Sequence, residues 1–151
     1  ITRVVNEIKE LIAAGIPREH ILVIHADWRG VERLLARLRR EFGLLAAADP
    51  KDTVSGHHIR VCTLNGATGL ESPIVFLVGV RALYEQEQSL RLSEEERAEL
   101  VRDNTRKLYM AITRAGQRLV LTYVGEIPDS LKRLGAMSQA AFDAQANEVT
   151  D

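Results

Sequence analysis

Arg114 closes the string Arg106-Lys-Leu-Tyr-Met-Ala-Ile-Thr-Arg-Ala115, and its chemistry is that of a fixed cation. The string has helical spacing, ends on Thr113 and Arg114, and runs at once into Gln117-Arg-Leu-Val-Leu-Thr122, which reads as a strand. A guanidinium delivered at the last turn of a helix and anchored by a buried strand is held in one place at a domain edge, where it can meet a phosphate. Charge that spreads onto the oxygens of a departing phosphoryl group is neutralised by a positioned arginine. An arginine supplied from a second domain makes hydrolysis depend on domain closure. The string thus reads as an arginine finger. The competing reading is local, because the open carbonyls at a helix C-terminus favour any cation.

A second stretch with chemical potential lies upstream, in Cys62-Thr-Leu-Asn-Gly-Ala-Thr-Gly-Leu-Glu-Ser-Pro-Ile-Val-Phe-Leu-Val-Gly79. Two apolar strands flank a loop of small residues that ends in Gly69-Leu70-Glu71. Such a loop exposes backbone amides to phosphates, while a short turn points a carboxylate at a sugar hydroxyl. Taken in order, the two stretches resemble motifs V and VI of the UvrD/Rep-type superfamily 1 DNA helicases, whose usual forms run Thr-x-His-x-x-Lys-Gly-Leu-Glu-Phe and Tyr-Val-Ala-x-Thr-Arg-Ala. Asn65 stands where that family has histidine, Thr68 where it has lysine and Ser72 where it has an aromatic. Tyr109 and Thr113 match the family as well and are expected to pack and to cap rather than to react.

The elements that must position these residues are legible in the spacing of apolar side chains. Val4, Val5, Ile8, Leu11 and Ile12 predict an opening helix that stops at Gly15 and Pro17. Ile21-Leu-Val-Ile-His25 predicts a strand, and Val31, Leu34, Leu35, Leu38 and Phe42 predict a helix ending at Gly43. Residues 44 to 57 hold turn formers without periodicity, Pro50, Asp52 and Ser55 among them, and read as a loop. Ile59 to Thr63 is a strand, and Ile74 to Val80 has the unbroken apolar character of a central parallel strand covered on both faces. Ser93 with Glu96 predicts a capping box for a long helix whose inner face is Ala98, Val101, Thr105, Leu108 and Ile112, stopped by Gly116. Leu119 to Val124 predicts the last strand, and Pro128 opens a final helix through Leu131, Leu134 and Ala141 or Phe142. Strands alternating with helices imply an α/β fold with a doubly wound parallel sheet.

Composition bounds the function. The 151 residues, 46% of them hydrophobic, suffice for one domain, with a frayed tail over residues 144 to 151. A formal net charge of −1 argues against a freestanding nucleic-acid binder, so nucleic acid contact must be local or shared with a partner domain. The single cysteine, Cys62, alternates within Ile59 to Thr63 as a packed strand thiol and cannot form an internal disulfide. His20, His25, His57 and His58 show no metal spacing, and no metal site is expected. No apolar run reaches the length of a membrane span and no leader precedes the first helix, so the expected location is cytoplasmic and away from membranes. The chain begins at Ile1 and enters a helix immediately, as expected of a piece of a longer protein. Arg29, Arg33, Arg37 and Arg40 share a helix face that can track phosphates but is more simply a solvated face, and Trp28, at a helix start, is expected to cover a core edge rather than to stack on a base.

The resemblance implies a RecA-like domain of the P-loop NTPase type without a P-loop of its own, for no Gly-x-x-x-x-Gly-Lys-Ser/Thr string occurs. It implies the second, C-terminal motor domain of an ATP-dependent DNA helicase or translocase. Arg114 would act on the phosphates as the catalytic residue, Gly69 and Glu71 would join it in binding ATP, and Thr63, Leu64 and Asn65 would lie along single-stranded DNA. ATP and Mg2+ would be held mainly by an N-terminal RecA-like domain of the same protein, and the present chain alone would be inactive. The short span from residue 43 to residue 58 implies a compact version without the large insertion that several family members carry there. The rival expectation is a non-catalytic RecA-like module that binds or regulates, favoured by the departures at Asn65, Thr68 and Ser72.

Overall fold

The computed structural model describes residues 1–51 and 56–133; Asp52, Ser55, the helical continuation through Leu134, Ala141 and Phe142, and the tail from 144 to 151 lie outside the described residues. Four helices, α1 (Thr2–Ala13), α2 (Trp28–Phe42), α3 (Arg81–Glu87) and α4 (Glu94–Ile112), pack on five strands, β1 (Ile21–His25), β2 (Ala47–Ala48), β3 (Ile59–Thr63), β4 (Ser72–Val78) and β5 (Ala115–Leu121). The strand order is β2-β3-β1-β4-β5 and every pairing is parallel.

Alternation along the strands divides the core into two layers. Ile21, Val23, Ile59, Val61, Ile74 and Phe76 face α1 and α2, meeting Val4, Val5 and Ile8 on the first and Val31, Leu34 and Leu38 on the second. Leu22, Ile24, Cys62, Val75 and Leu77 face the opposite way, onto Leu83 of α3 and Leu108 and Ala111 of α4. Each large side chain buried in this way contributes about 1.5–3 kcal/mol, so neither face can be left open. The doubly wound arrangement is the result. Burial also pushes the Cys62 thiol up to about 12. A disulfide exchange reagent should therefore label the thiol only as fast as the chain opens, and prompt labelling of the native chain would contradict this packing.

The helix α2 shows why these boundaries hold. The Asp27 carboxylate accepts a hydrogen bond from the Gly30 amide at 2.7 Å, capping the first turn. Gly43, at φ +101°, takes the left-handed backbone that ends it. For α4, Ser93 Oγ accepts from the Glu96 amide at 3.2 Å while Glu96 Oε2 accepts from the Ser93 amide at 2.8 Å, the expected capping box.

Four expectations need correction. The stretch 44 to 57 contains β2, two fully buried alanines paired with Ile59 and Arg60, too short to show a period. The helix α3 has no side-chain cap and gave no signal. The inner face of α4 is Asn104, Leu108 and Ala111, whereas Ala98, Val101 and Thr105 are exposed. The cause is polar: Asn104 Nδ2 donates to Glu87 Oε1 at 2.9 Å, and Arg97 donates to the Glu87 and Ser89 carbonyls, so hydrogen bonds to the end of α3 set the rotation of the helix. Finally, Gly116 lies inside β5, and α4 stops at Ile112 because Arg114 joins the sheet, its carbonyl accepting from the Ser72 amide at 3.0 Å.

Candidate nucleotide-edge site and nucleic-acid rim

In a parallel sheet all strands begin on one edge and end on the other. Ser72, the first residue of β4, pairs with Ala115, the first of β5. This brings the residue before each strand, Glu71 and Arg114, to the amino edge together. Both line one open groove of about 470 Å³ with Thr113, Gly116 and Gln117.

The Arg114 guanidinium is anchored on both sides of that groove. Nε donates to the Met110 carbonyl at 3.1 Å and Nη1 to the Leu70 carbonyl at 3.4 Å, while Nη2 has only Thr113 Oγ1 at 3.3 Å. Thr113 itself donates to the Met110 carbonyl at 2.8 Å, so it caps the helix as expected. Tyr109 does not pack; it is exposed, one turn before Thr113. The Glu71 side chain is exposed too, while its carbonyl accepts from Arg60 Nη2 at 2.9 Å. Gly69 turns the loop at φ +78°, a backbone that a larger residue adopts only with strain.

Thr63 ends β3 on the opposite, carboxyl edge, paired with His25, the last residue of β1, which pairs in turn with Val78 at the end of β4. The seven residues of β4 separate the two edges by roughly 20 Å. Residues 64 to 71 cross that distance. Thr63 Oγ1 accepts from the Gly66 amide at 3.2 Å and starts a 3₁₀ turn, Asn65–Ala67. Leu64 anchors the crossing with a buried side chain, leaving only its backbone for any contact at the rim.

The departures from the family pattern have local work. Thr68 Oγ1 donates to the Asn65 carbonyl at 2.9 Å and closes the turn, a bond that a lysine cannot supply in that way. Ser72 is buried, and its hydroxyl donates to the His20 carbonyl at 2.7 Å, fastening β4 to the turn before β1.

The described residues contain no cluster of His, Cys, Asp and Glu able to hold a metal ion, and no helix long and apolar enough to cross a membrane. His57 pairs with Glu19 at 2.9 Å, whereas His25 is buried at the carboxyl edge. Its ring fills the space between two glycines; a Cβ at Gly30 would come within 2.0 Å of it and one at Gly79 within 2.4 Å. The Asp27 amide donates to His25 Nδ1 at 3.1 Å, so burial holds a neutral ring at the turn into α2. Periodicity shows such a histidine only as one more buried strand residue.

The two motifs thus flank one crossing segment in a parallel sheet, and residues 4–126 match the family model for the UvrD-like helicase C-terminal domain. The chain belongs to that family. Among UvrD-like relatives, it is 31% identical over 107 residues to an ATP-dependent helicase/nuclease protein of Lactobacillus helveticus, covering 53% of this chain and 9% of that protein. It is 32% identical over 92 residues to the ATP-dependent DNA helicase PcrA of Staphylococcus epidermidis, covering 60% of this chain and 12% of that one. The chain therefore spans about a tenth of the length of these curated relatives. The crystal structure of the C-terminal domain of a possible DNA helicase from Lactobacillus plantarum WCFS1 superposes with a TM-score of 0.58 at 21% identity, covering 86% of this chain and 70% of that one, which shows the shared fold. This is the C-terminal RecA-like domain of a UvrD/PcrA-type helicase, its α/β sheet doubly wound and parallel.

Proposed function

We propose that this UvrD-like domain completes the ATP site of an N-terminal P-loop domain and carries single-stranded DNA across its carboxyl edge. The observation behind this reading is the shared groove of Arg114 and Glu71, reached through residues 64 to 71 from Thr63 and Asn65 on the other edge. The groove offers one guanidinium and one exposed carboxylate, donors and acceptors that suit the outer phosphate and the sugar of a nucleotide. It lacks the nest of amides and the magnesium ligands that hold the rest, which the reading assigns to the N-terminal domain. Arg114 stabilises charge developing on the outer phosphate. Gly69 lets the loop turn, and Glu71 meets the sugar. The 64–71 crossing then joins events at the nucleotide to the strand lying over Thr63, the Leu64 backbone and Asn65. The whole protein is on this reading an ATP-dependent DNA helicase or translocase that works as a cytoplasmic motor.

The half-site fixes an expected result for the chain by itself. Purified with magnesium and ATP, it should bind nucleotide weakly and release no phosphate above background, because it supplies an arginine but no phosphate cradle. Steady-state phosphate release is the measurement. Turnover that vanishes in Arg114→Ala would mean that the chain is a complete ATPase and that the half-site reading is wrong.

A further inference from the structure

The turn from β1 into α2 places a large aromatic ring where its helix does not need it. Val31, Leu34, Leu35 and Leu38 supply the buried face of α2, and all are covered. Trp28, expected to close the edge of this core, is instead 53% exposed. It follows His25 by three residues, and the Ala26 amide still donates to the Val78 carbonyl at 3.0 Å, so the ring stands over the carboxyl ends of β1 and β4. Because His25 pairs with Thr63, Trp28 and Asn65 rise from neighbouring strands on one rim.

The surroundings of the ring indicate what it meets. A surface that docks another protein presents contiguous apolar area. Here the neighbours in sequence are the Asp27 cap, the exposed Arg29 and, one helical turn on, the exposed Arg33; across the rim stands Asn65. Arg29 and Arg33 make no ion pair with any described residue. One ring flanked by free guanidiniums suits a ligand that alternates flat faces with anions, which is single-stranded nucleic acid.

We propose that Trp28 is a base-stacking platform: a base of single-stranded DNA passing over the carboxyl rim rests on its indole, while Arg29 and Arg33 meet the adjoining phosphates. This rests on the reading of that rim as the DNA edge and adds the aromatic contact that Thr63 and Asn65 cannot make. Stacking tolerates any base, so the platform gives grip without sequence preference.

Trp28 is the only tryptophan in the chain, so its emission reports this site directly. The 151-residue chain is titrated at low salt with fluorescein-labelled oligothymidylate, following anisotropy, and with unlabelled oligothymidylate, following indole emission. Saturable quenching with the midpoint of the anisotropy curve is expected. Trp28→Ala should weaken binding by roughly five- to a hundredfold and Trp28→Phe by much less. Arg29→Ala with Arg33→Ala should flatten the salt slope by about one to two units. Undiminished affinity in Trp28→Ala together with unmoved emission in the parent would overturn the platform and leave the DNA edge standing. No binding by either signal would overturn both. Emission that shifts with protein concentration but ignores the oligonucleotide would assign the ring to self-association and also overturn the proposal.

Discussion

Arg114→Ala in the full-length protein is expected to lower ATP hydrolysis about a thousandfold or more, with much less effect on ATP affinity. The reason lies in where the charge is held. Nε and Nη1 tie the guanidinium to the Met110 and Leu70 carbonyls, which fixes its plane, and Nη2 is left with a single long contact to Thr113. A donor oriented in advance gains most from charge that develops only in the transition state. The same two carbonyl bonds also give the rival reading its footing, since an arginine that merely fastens the end of α4 to the Gly69-Leu70-Glu71 turn would make them too. The rival predicts a different outcome. Alanine would then cost stability through two unanswered carbonyls and leave hydrolysis per folded molecule at the parent rate. Steady-state phosphate release, normalised to the folded fraction from a thermal melt, separates the two. A parent-like rate would move this domain into the class of RecA-like binding or regulatory modules.

What could be seen beforehand depended on how local the information was. Arg114 and Gly69-Leu70-Glu71 sit in short strings whose chemistry travels with them, and the same holds for the Asp27 and Ser93 caps. The alternation of strand and helix was equally plain, because four of the five strands carry apolar or β-branched runs. The edge strand β2 has two residues and no period. The rotation of α4 was misjudged because Asn104, polar and so placed outside by pattern, is drawn inward by Glu87 of α3, a partner on an element with no signal of its own. Trp28 was misjudged in the opposite sense: a large ring at a helix start usually covers a core edge, and only the structure shows that Val31 and Leu35 already close it. The groove at the amino edge, finally, exists only through the β4–β5 register, which joins residues 71 and 114 across more than forty positions of sequence.

The carboxyl rim depends on His25 and the two glycines that enclose it, and this enclosure has a measurable signature. Gly30→Ala should destabilise the chain by about 1–3 kcal/mol, since the new methyl would overlap the imidazole of a residue fixed in a strand. On helix propensity alone the same change would stabilise by up to about 1 kcal/mol. The sign therefore reports the clash. In a His25→Ala background the ring is gone, and Gly30→Ala should become neutral or stabilising. Urea denaturation of the parent, both single variants and the double variant measures the coupling, and additive effects would mean that the ring does not lie against Gly30. The pH dependence gives a second, independent readout. Desolvation lowers the folded-state pKa of His25 below the ordinary 6.5, so the folded chain keeps a neutral ring where the unfolded chain takes up a proton. The unfolded state then binds more protons, and stability rises with pH across that interval. The contribution is complete above pH 6.5 and is lost as pH falls below it, toward the folded-state pKa. The carboxylates of Glu19, Glu41 and Glu96, all lowered by hydrogen bonds, act in a more acidic window, below their ordinary 4.5. Between these two windows the parent should lose stability with falling pH, and His25→Ala should show a flatter profile. Equal slopes in parent and variant would show that the ring is protonated alike in both states, and the rim would have no buried neutral histidine at its base.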